Sequence, residues 1–337
     1  MYLDVAMPLT LFAVITLAML LNRRVEKKLK ATFEEREFKV KDAIILVVAI
    51  GVAVLVITFV PQMAVMTLFL FAYSMLLFTF AYIFSDFRKA AAELFFAAFI
   101  AVSFSAATIS LFALNTFGNW IAYGAAALYC LCGFSLLALF YEENRDNVKE
   151  RWYLAAIPTA LFLILYIFYN RTPIWFPWLM NMYGFVFAVL IILYLGSLFT
   201  WGTSLVFAGL LTAVDIVLVL VTKTMVSAAT HVSGLGLPVL VILPTLPQAT
   251  TELGVLYISL GLGDFFFSGL MAVQTYKKFG RNLAVLSAAA MATSFLIFEA
   301  LILNFEVRAF PGTLMIICGW LPIVLFKGLK DHKSKIS

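Results

Sequence analysis

The sequence predicts an all-α, polytopic transmembrane helix bundle of about nine to eleven helices, and three observations carry that prediction. Hydrophobic residues make up 64% of the 337 and charged residues only 12%, against about 25% charge in an ordinary soluble domain. The mean hydropathy is +1.05. Apolar runs of about 18 residues or more recur from end to end, each long enough to cross a hydrocarbon core of ~30 Å. Because these runs are continuous rather than short and alternating, they point away from a transmembrane β-barrel.

Eleven spans are expected, at 4–21, 43–60, 63–84, 91–113, 119–140, 152–169, 176–199, 203–222, 253–275, 282–304 and 308–326. The first lacks a basic flank and a small-residue cleavage site, so it reads as a retained helix rather than a signal peptide. Phe199-Thr-Trp-Gly-Thr203 makes a tight turn between the seventh and eighth. Within 223–252, Gly236-Leu-Pro-Val-Leu-Val-Ile-Leu-Pro244 is too short to span and is bracketed by prolines. A strand or extended piece is expected there, with Leu237–Leu243 offering an exposed edge to an unwound substrate. Cys130, Cys132 and Cys318 fall in helices, with spacing that suits neither a disulfide framework nor a metal site, and read as buried filler. Trp175-Phe-Pro-Trp178 reads as an interfacial belt, and 142–151 as a solvated charged loop.

Lys and Arg set the orientation. The formal net charge of +5 gathers in a few loops. Residues 22–42 hold Arg23, Arg24, Lys27, Lys28, Lys30, Arg36, Lys39 and Lys41. Arg88 with Lys89, then Arg145, Lys149 and Arg151, then Lys277, Lys278 and Arg281, and the tail Lys327, Lys330, Lys333 and Lys335 fall on the same side when every span crosses. The intervening loops are nearly free of positive charge. The N-terminus is therefore expected outside and the C-terminus in the cytoplasm, in the cell membrane. Concentration of charge in such loops is an orientation signal, so no nucleic-acid partner is expected.

Two acids lie inside apolar runs, Asp215 in Leu211-Thr-Ala-Val-Asp-Ile-Val-Leu and Asp264 in Gly261-Leu-Gly-Asp-Phe-Phe-Phe. Each costs roughly 2.5–3.5 kcal/mol at the centre of a membrane helix, which makes it a functional-site candidate. The two reach similar depth on antiparallel neighbours if both helices cross. Facing each other, they would share one proton, one carboxylate taking a proton from water while the other acid polarises a peptide carbonyl. Gly261 and Gly263 before Asp264, and Gly269 after it, let backbones approach closely and weaken local helical order. A proton- or Na⁺-coupled transporter is the rival class for such a pair. Glu299, beside Asn304, Glu306 and Arg308, reads as a solvated helix end, and Lys223 as a snorkelling anchor. His231 in a loop and His332 in the tail have no clustered ligands, so no metal is expected.

These residues resemble the intramembrane aspartyl proteases that comprise presenilin, signal peptide peptidase and their archaeal homologues. The family pattern is Tyr-Asp in one helix, Gly-x-Gly-Asp in the next and Pro-Ala-Leu near the start of the last. Gly261-Leu-Gly-Asp264 matches in full. Asp215-Ile-Val-Leu-Val-Leu-Val-Thr-Lys223-Thr-Met resembles the stretch after the first Asp in archaeal members, and Leu237–Pro244 the proline-bracketed segment that follows. The resemblance spans roughly 200–326 and implies a presenilin-like catalytic core with Asp215 and Asp264 as the catalytic pair. Two departures stand out. Val214 replaces the Tyr, and Phe310-Pro-Gly-Thr313 replaces Pro-Ala-Leu.

The resemblance implies that Pro311, Gly312 and Thr313 shape the active site and bind substrate, alongside Gly261, Gly263, Leu237, Pro238 and Val239. It implies three regions: helices 1–201 for scaffolding and substrate access, a catalytic membrane core at 202–327, and a basic cytoplasmic tail at 328–337. The family has five helices before the first Asp; seven are expected here. An outside N-terminus is the orientation of signal peptide peptidase, which implies type II membrane peptides or signal-peptide remnants as substrates. The bilayer and transmembrane peptides are then the partners and no cofactor is called for. Oligomeric state stays open, as does an inactive relative that binds membrane segments without cutting them.

Overall fold

The computed structural model describes residues 3–32, 37–144, 151–251, 254–305 and 310–336; Arg36, Arg145, Lys149, Glu306 and Arg308 lie outside the described residues. The helices are α1 Ala6–Thr32, α2 Val40–Ile57, α3 Gln62–Ile83, α4 Lys89–Phe112, α5 Trp120–Glu143, α6 Trp152–Tyr169, α7 Met180–Leu198, α8 Trp201–Ile216, α9 Thr224–Ser233, α10 Leu262–Phe279, α11 Arg281–Asn304 and α12 Gly312–Ile336. A single turn at Leu114–Phe117 precedes α5, and π-helical turns cover Trp175–Leu179 before α7 and Val217–Val221 after α8. Among the described residues, ten helices are long and apolar enough to cross a membrane. The chain is the all-α polytopic bundle its composition predicts.

α10 is not one of those ten. Its 18 residues carry Asp264, Lys277 and Lys278, and every side chain from Phe265 to Thr275 is buried. This helix is wrapped by protein, so it needs no lipid-facing apolar surface.

Three boundaries differ from expectation. α1 continues through the basic stretch expected as loop, to Thr32. Lys, Arg and Glu are good helix formers, and Glu26 pairs one turn on with Lys30 at 3.6 Å. α12 likewise runs through the expected tail to Ile336. The span expected at 253–275 begins instead as a strand, with helix only from Leu262. Its first residues are glycine and β-formers, and they find a partner strand.

That partner is β1, Leu240–Pro244, in the segment expected to be extended. Two short strands, β2 Thr250–Thr251 and β3 Gly254–Val255, pair with each other, and β4, Tyr257–Gly261, pairs antiparallel with β1 in the register Leu240↔Gly261, Ile242↔Ser259 and Pro244↔Tyr257.

The chain divides into two compact units, Met1–Gln62 with Asn181–Ser337, and Met63–Met180. In the second, α4, α5 and α6 pack through Phe96, Ala138, Tyr153 and Ile157 at one end and Ala107, Ile121, Leu128 and Tyr169 at the other. The 142–151 stretch is not simply solvated there. Glu142 (3% exposed) and Arg151 (8%) form an ion pair at 2.6 Å. Tyr153 donates to the same carboxylate, and Arg151 to the Phe87 carbonyl. A buried pair with its remaining donors satisfied joins the ends of three helices. Trp175 is fully buried against Tyr166, not part of an exposed belt, whereas Trp178 is 75% exposed. Cys132 is buried, but Cys130 and Cys318 are exposed, contrary to the expectation of three buried thiols.

In the first unit, α10 is the central element, packed against α1, α8, α11 and α12. Gln274 Nε2 donates to the Gly196 and Phe199 carbonyls at 3.2 and 2.8 Å, and Lys277 to Gly196 at 3.2 Å. These bonds satisfy carbonyls that the end of α7 leaves without helical partners. Trp320 of α12 donates to Thr275 at 2.9 Å, and Gly319 allows α12 to lie on α11, a Cβ there falling 2.3 Å from the Ala290 carbonyl.

Candidate active site

Thr200 caps α8 by accepting from the Thr203 N–H at 3.3 Å, and the helix then carries Asp215 to the last turn before the π-helical segment Val217–Val221. Widened turns of this kind are frequent beside functional residues. Val214, where the resembled family has Tyr, packs with Val54, Leu218 and Ala228, 3.6 Å from where a Cβ on Gly51 of α2 would stand. α2 thus runs close beside Val214.

Asp264 arrives from the other side. β4 ends at Gly261, whose extended backbone (φ −70°, ψ 147°) caps α10, and Asp264 lies in the first turn, accepting a backbone hydrogen bond from Gly261. An acid at this position reaches back to the cap as in a capping box. The helix thus begins two residues before the acid, directly after the extended backbone that ends at Gly261.

The start of α12 brings the two acids together. Thr313 Oγ1 donates to Asp215 Oδ2 at 2.6 Å, and the Thr313 N–H to the same oxygen at 3.3 Å. A Cβ on Gly312 would stand 2.4 Å from Asp264 Oδ1. Two successive residues therefore touch one acid each, and the carboxylates are near enough to interact electrostatically. Both are partly exposed, which leaves room for water.

Of the other expected site residues, Pro311 is buried at the mouth of α12 and Gly263 is exposed beside Asp264. Leu237 (3% exposed) and Pro238 are buried, and the Val239 carbonyl accepts from the Leu262 N–H at 3.0 Å, which fixes the start of α10. Gly269 lies against α7, its missing Cβ 2.4 Å from Ile192. Lys223 is exposed, with a left-handed backbone (φ 57°).

The expected open edge on β1 is taken. Asn181 of α7 donates to the Ile242 carbonyl at 2.6 Å and accepts from the Ile242 N–H at 2.8 Å. Residues whose N–H and C=O both point away from the partner strand form non-hydrogen-bonded pairs. Ser259, opposite Ile242, therefore aims its own backbone groups outward along β4, and it is exposed.

Two residues fall elsewhere than expected. His231 lies in α9 rather than a loop. Glu299 is 4% exposed, not a solvated end, and among the described residues neither carboxylate oxygen has a hydrogen-bond partner. Asp4 is close enough to act on it electrostatically, and is itself held by the N–H groups of Ala6, Met7 and Leu246 at 3.0, 3.1 and 2.7 Å. The burial of Glu299 had no signal in the local sequence, because it comes from α1 packing on α11.

A family model for signal peptide peptidase matches residues 28–285. The chain belongs to the signal peptide peptidase family. No curated protein matches it. The family match takes in both Asp215 and Asp264 and ends before α12, so the Pro311-Gly312-Thr313 segment lies beyond it. Membership of the signal peptide peptidase family identifies a multi-pass membrane protein of the protease class that acts on peptides within the bilayer.

Proposed function

We propose that this chain is an intramembrane aspartyl protease in which Asp215 and Asp264 share one proton and activate water. The observation that carries the reading is the convergence of both acids on Gly312 and Thr313. The carboxylate takes a proton from water, whose oxygen attacks the scissile carbonyl, while the protonated partner gives its proton to the carbonyl oxygen. Collapse of the resulting diol breaks the C–N bond, and the amine leaves with a proton returned through the pair. The bilayer presents substrate as a helix, so local unwinding must come first. The outward-facing backbone of Ser259 supports a strand-addition route: unwound substrate pairs with its N–H and C=O and is led to Asp264. Leu237, Pro238 and Val239 then serve by holding the start of α10. Type II membrane peptides or signal-peptide remnants are the proposed substrates, with the cell membrane as the site of action.

The test is cleavage of a reporter transmembrane peptide by purified protein. Asp215→Asn and Asp264→Asn are each expected to lower cleavage by roughly 10³-fold or more, because members of a catalytic unit fail together. Wild-type protein that cuts no reporter over a range of pH would sink the reading, and proton or Na⁺ flux in liposomes would then separate a transporter from a binder of membrane segments.

A further inference from the structure

The two acids meet the start of α12 differently. Asp215 Oδ2 receives two donors from Thr313, a hydroxyl at 2.6 Å and an N–H at 3.3 Å. The hydroxyl distance lies in the range of bonds to an ionised oxygen, and an oxygen that accepts both a hydroxyl and an N–H is not one that carries a proton. The first N–H groups of α12 have no helical partner, since the first α12 residue seen bonding back is Met315, to the Pro311 carbonyl at 3.3 Å. The electropositive end of a 25-residue helix therefore adds to the Thr313 hydroxyl at the same carboxylate. Asp264 has the Gly261 backbone for a partner, and α12 offers it only the bare face of Gly312.

We infer that Thr313 is a positioning residue that holds Asp215 as the carboxylate base, leaving Asp264 to carry the shared proton and polarise the scissile carbonyl. The Thr313 hydroxyl occupies Oδ2 and leaves Oδ1 as the oxygen that takes the proton from water. Thr313 is 5% exposed, so the bond is shielded from competing solvent. The same hydroxyl supplies a donor at a site where Val214 brings none. This assignment rests on the protease reading and adds to it a distinct role for each acid.

Cleavage kinetics of Thr313→Val and Thr313→Ser beside wild type test it. Val keeps the shape and removes the hydroxyl; Ser keeps the hydroxyl. The expected result is a kcat about 10- to 100-fold lower for Thr313→Val, the size of a lost bond to a charged group, with KM within about threefold. Thr313→Ser is expected to restore kcat to within about threefold of wild type, since it returns the same bond. Wild-type kcat in Thr313→Val overturns the inference. So does an equal fall in both variants with unchanged melting, which would make the residue merely structural. If Thr313→Val does not give folded protein, Thr313→Ala, which relaxes rather than fills the site, is read against Thr313→Ser by the same criterion. Wild-type protein that cuts nothing overturns the protease reading and this assignment with it.

Discussion

Gly312 is the residue on which the geometry of the acid pair turns. An alanine Cβ would stand 2.4 Å from Asp264 Oδ1 and 2.7 Å from its Cγ, well inside contact distance. The obstacle is the end of a side chain, so the carboxylate swings aside while the helices stay in place. Gly312→Ala is therefore expected to leave the melting temperature nearly unchanged, helped by the better helix propensity of alanine. Cleavage is expected to fall by about 10²-fold, the scale of a 1 Å misplacement of a catalytic group. Melting and rate measured on one preparation check it, and an undiminished rate would show that the close approach is not needed. Alanine is what the family pattern Pro-Ala-Leu places there, so a change toward the family is expected to harm this chain. At this scale the acids themselves were legible, because an Asp in an apolar run and the Gly-x-Gly-Asp string are local signals. The Thr313 bond to Asp215 was not, since its partners lie 98 positions apart. Glu142, Arg151 and Glu299 were misread for one reason. Their burial comes from neighbouring helices, and a charged residue near a helix end looks the same in sequence whether it faces water or protein.

Among the elements, the strand before α10 was hidden under an apolar run, because Val, Tyr, Ile and Leu serve a buried strand and a membrane helix equally. Pairing decides the matter, and β1 was legible through its bracketing prolines. What sequence had no means to give is which strand keeps a free edge. Asn181, on α7, reaches across to Ile242 and closes β1, so substrate addition is left to the outward groups of Ser259 on β4. Ser259→Pro separates the alternatives. The Ser259 N–H points away from β1, so proline there removes no bond of the native ladder and suits an edge position. It does remove the donor that a substrate strand would use. Folding is expected to persist while KM for a transmembrane peptide rises about tenfold, the worth of roughly one hydrogen bond in a shielded site. Cleavage of the peptide with unaltered KM would show that substrate does not add to β4.

For the whole molecule, the open matter is how many times the chain crosses, and α10 decides it. Ten helices qualify by length and composition; with α10 excluded the termini would share a side, and with it included they lie on opposite sides. At ~1.5 Å per residue an 18-residue helix reaches ~27 Å, close to the hydrocarbon thickness. The contacts within its unit also point to a crossing. Its C-terminal Lys277 bonds Glu26 at the far end of α1 and the Gly196 carbonyl at the end of α7. Its N-terminal side joins the strands, and the loop after β1 is pinned by the N–H of Leu246 to Asp4 before α1. The end holding Lys277 also gathers the basic residues of the α1 end and Lys278, the latter stacked on Trp201 at 4.3 Å. The positive-inside rule would put that end in the cytoplasm, and we propose on that ground that α10 crosses, with the strands on the outer side. In intact cells, a tag at the N-terminus is expected to be cut by added protease, and a tag at the C-terminus to be protected. Equal cutting of both would mean that α10 does not cross, and the proposed orientation would fall together with the proposed preference for type II substrates.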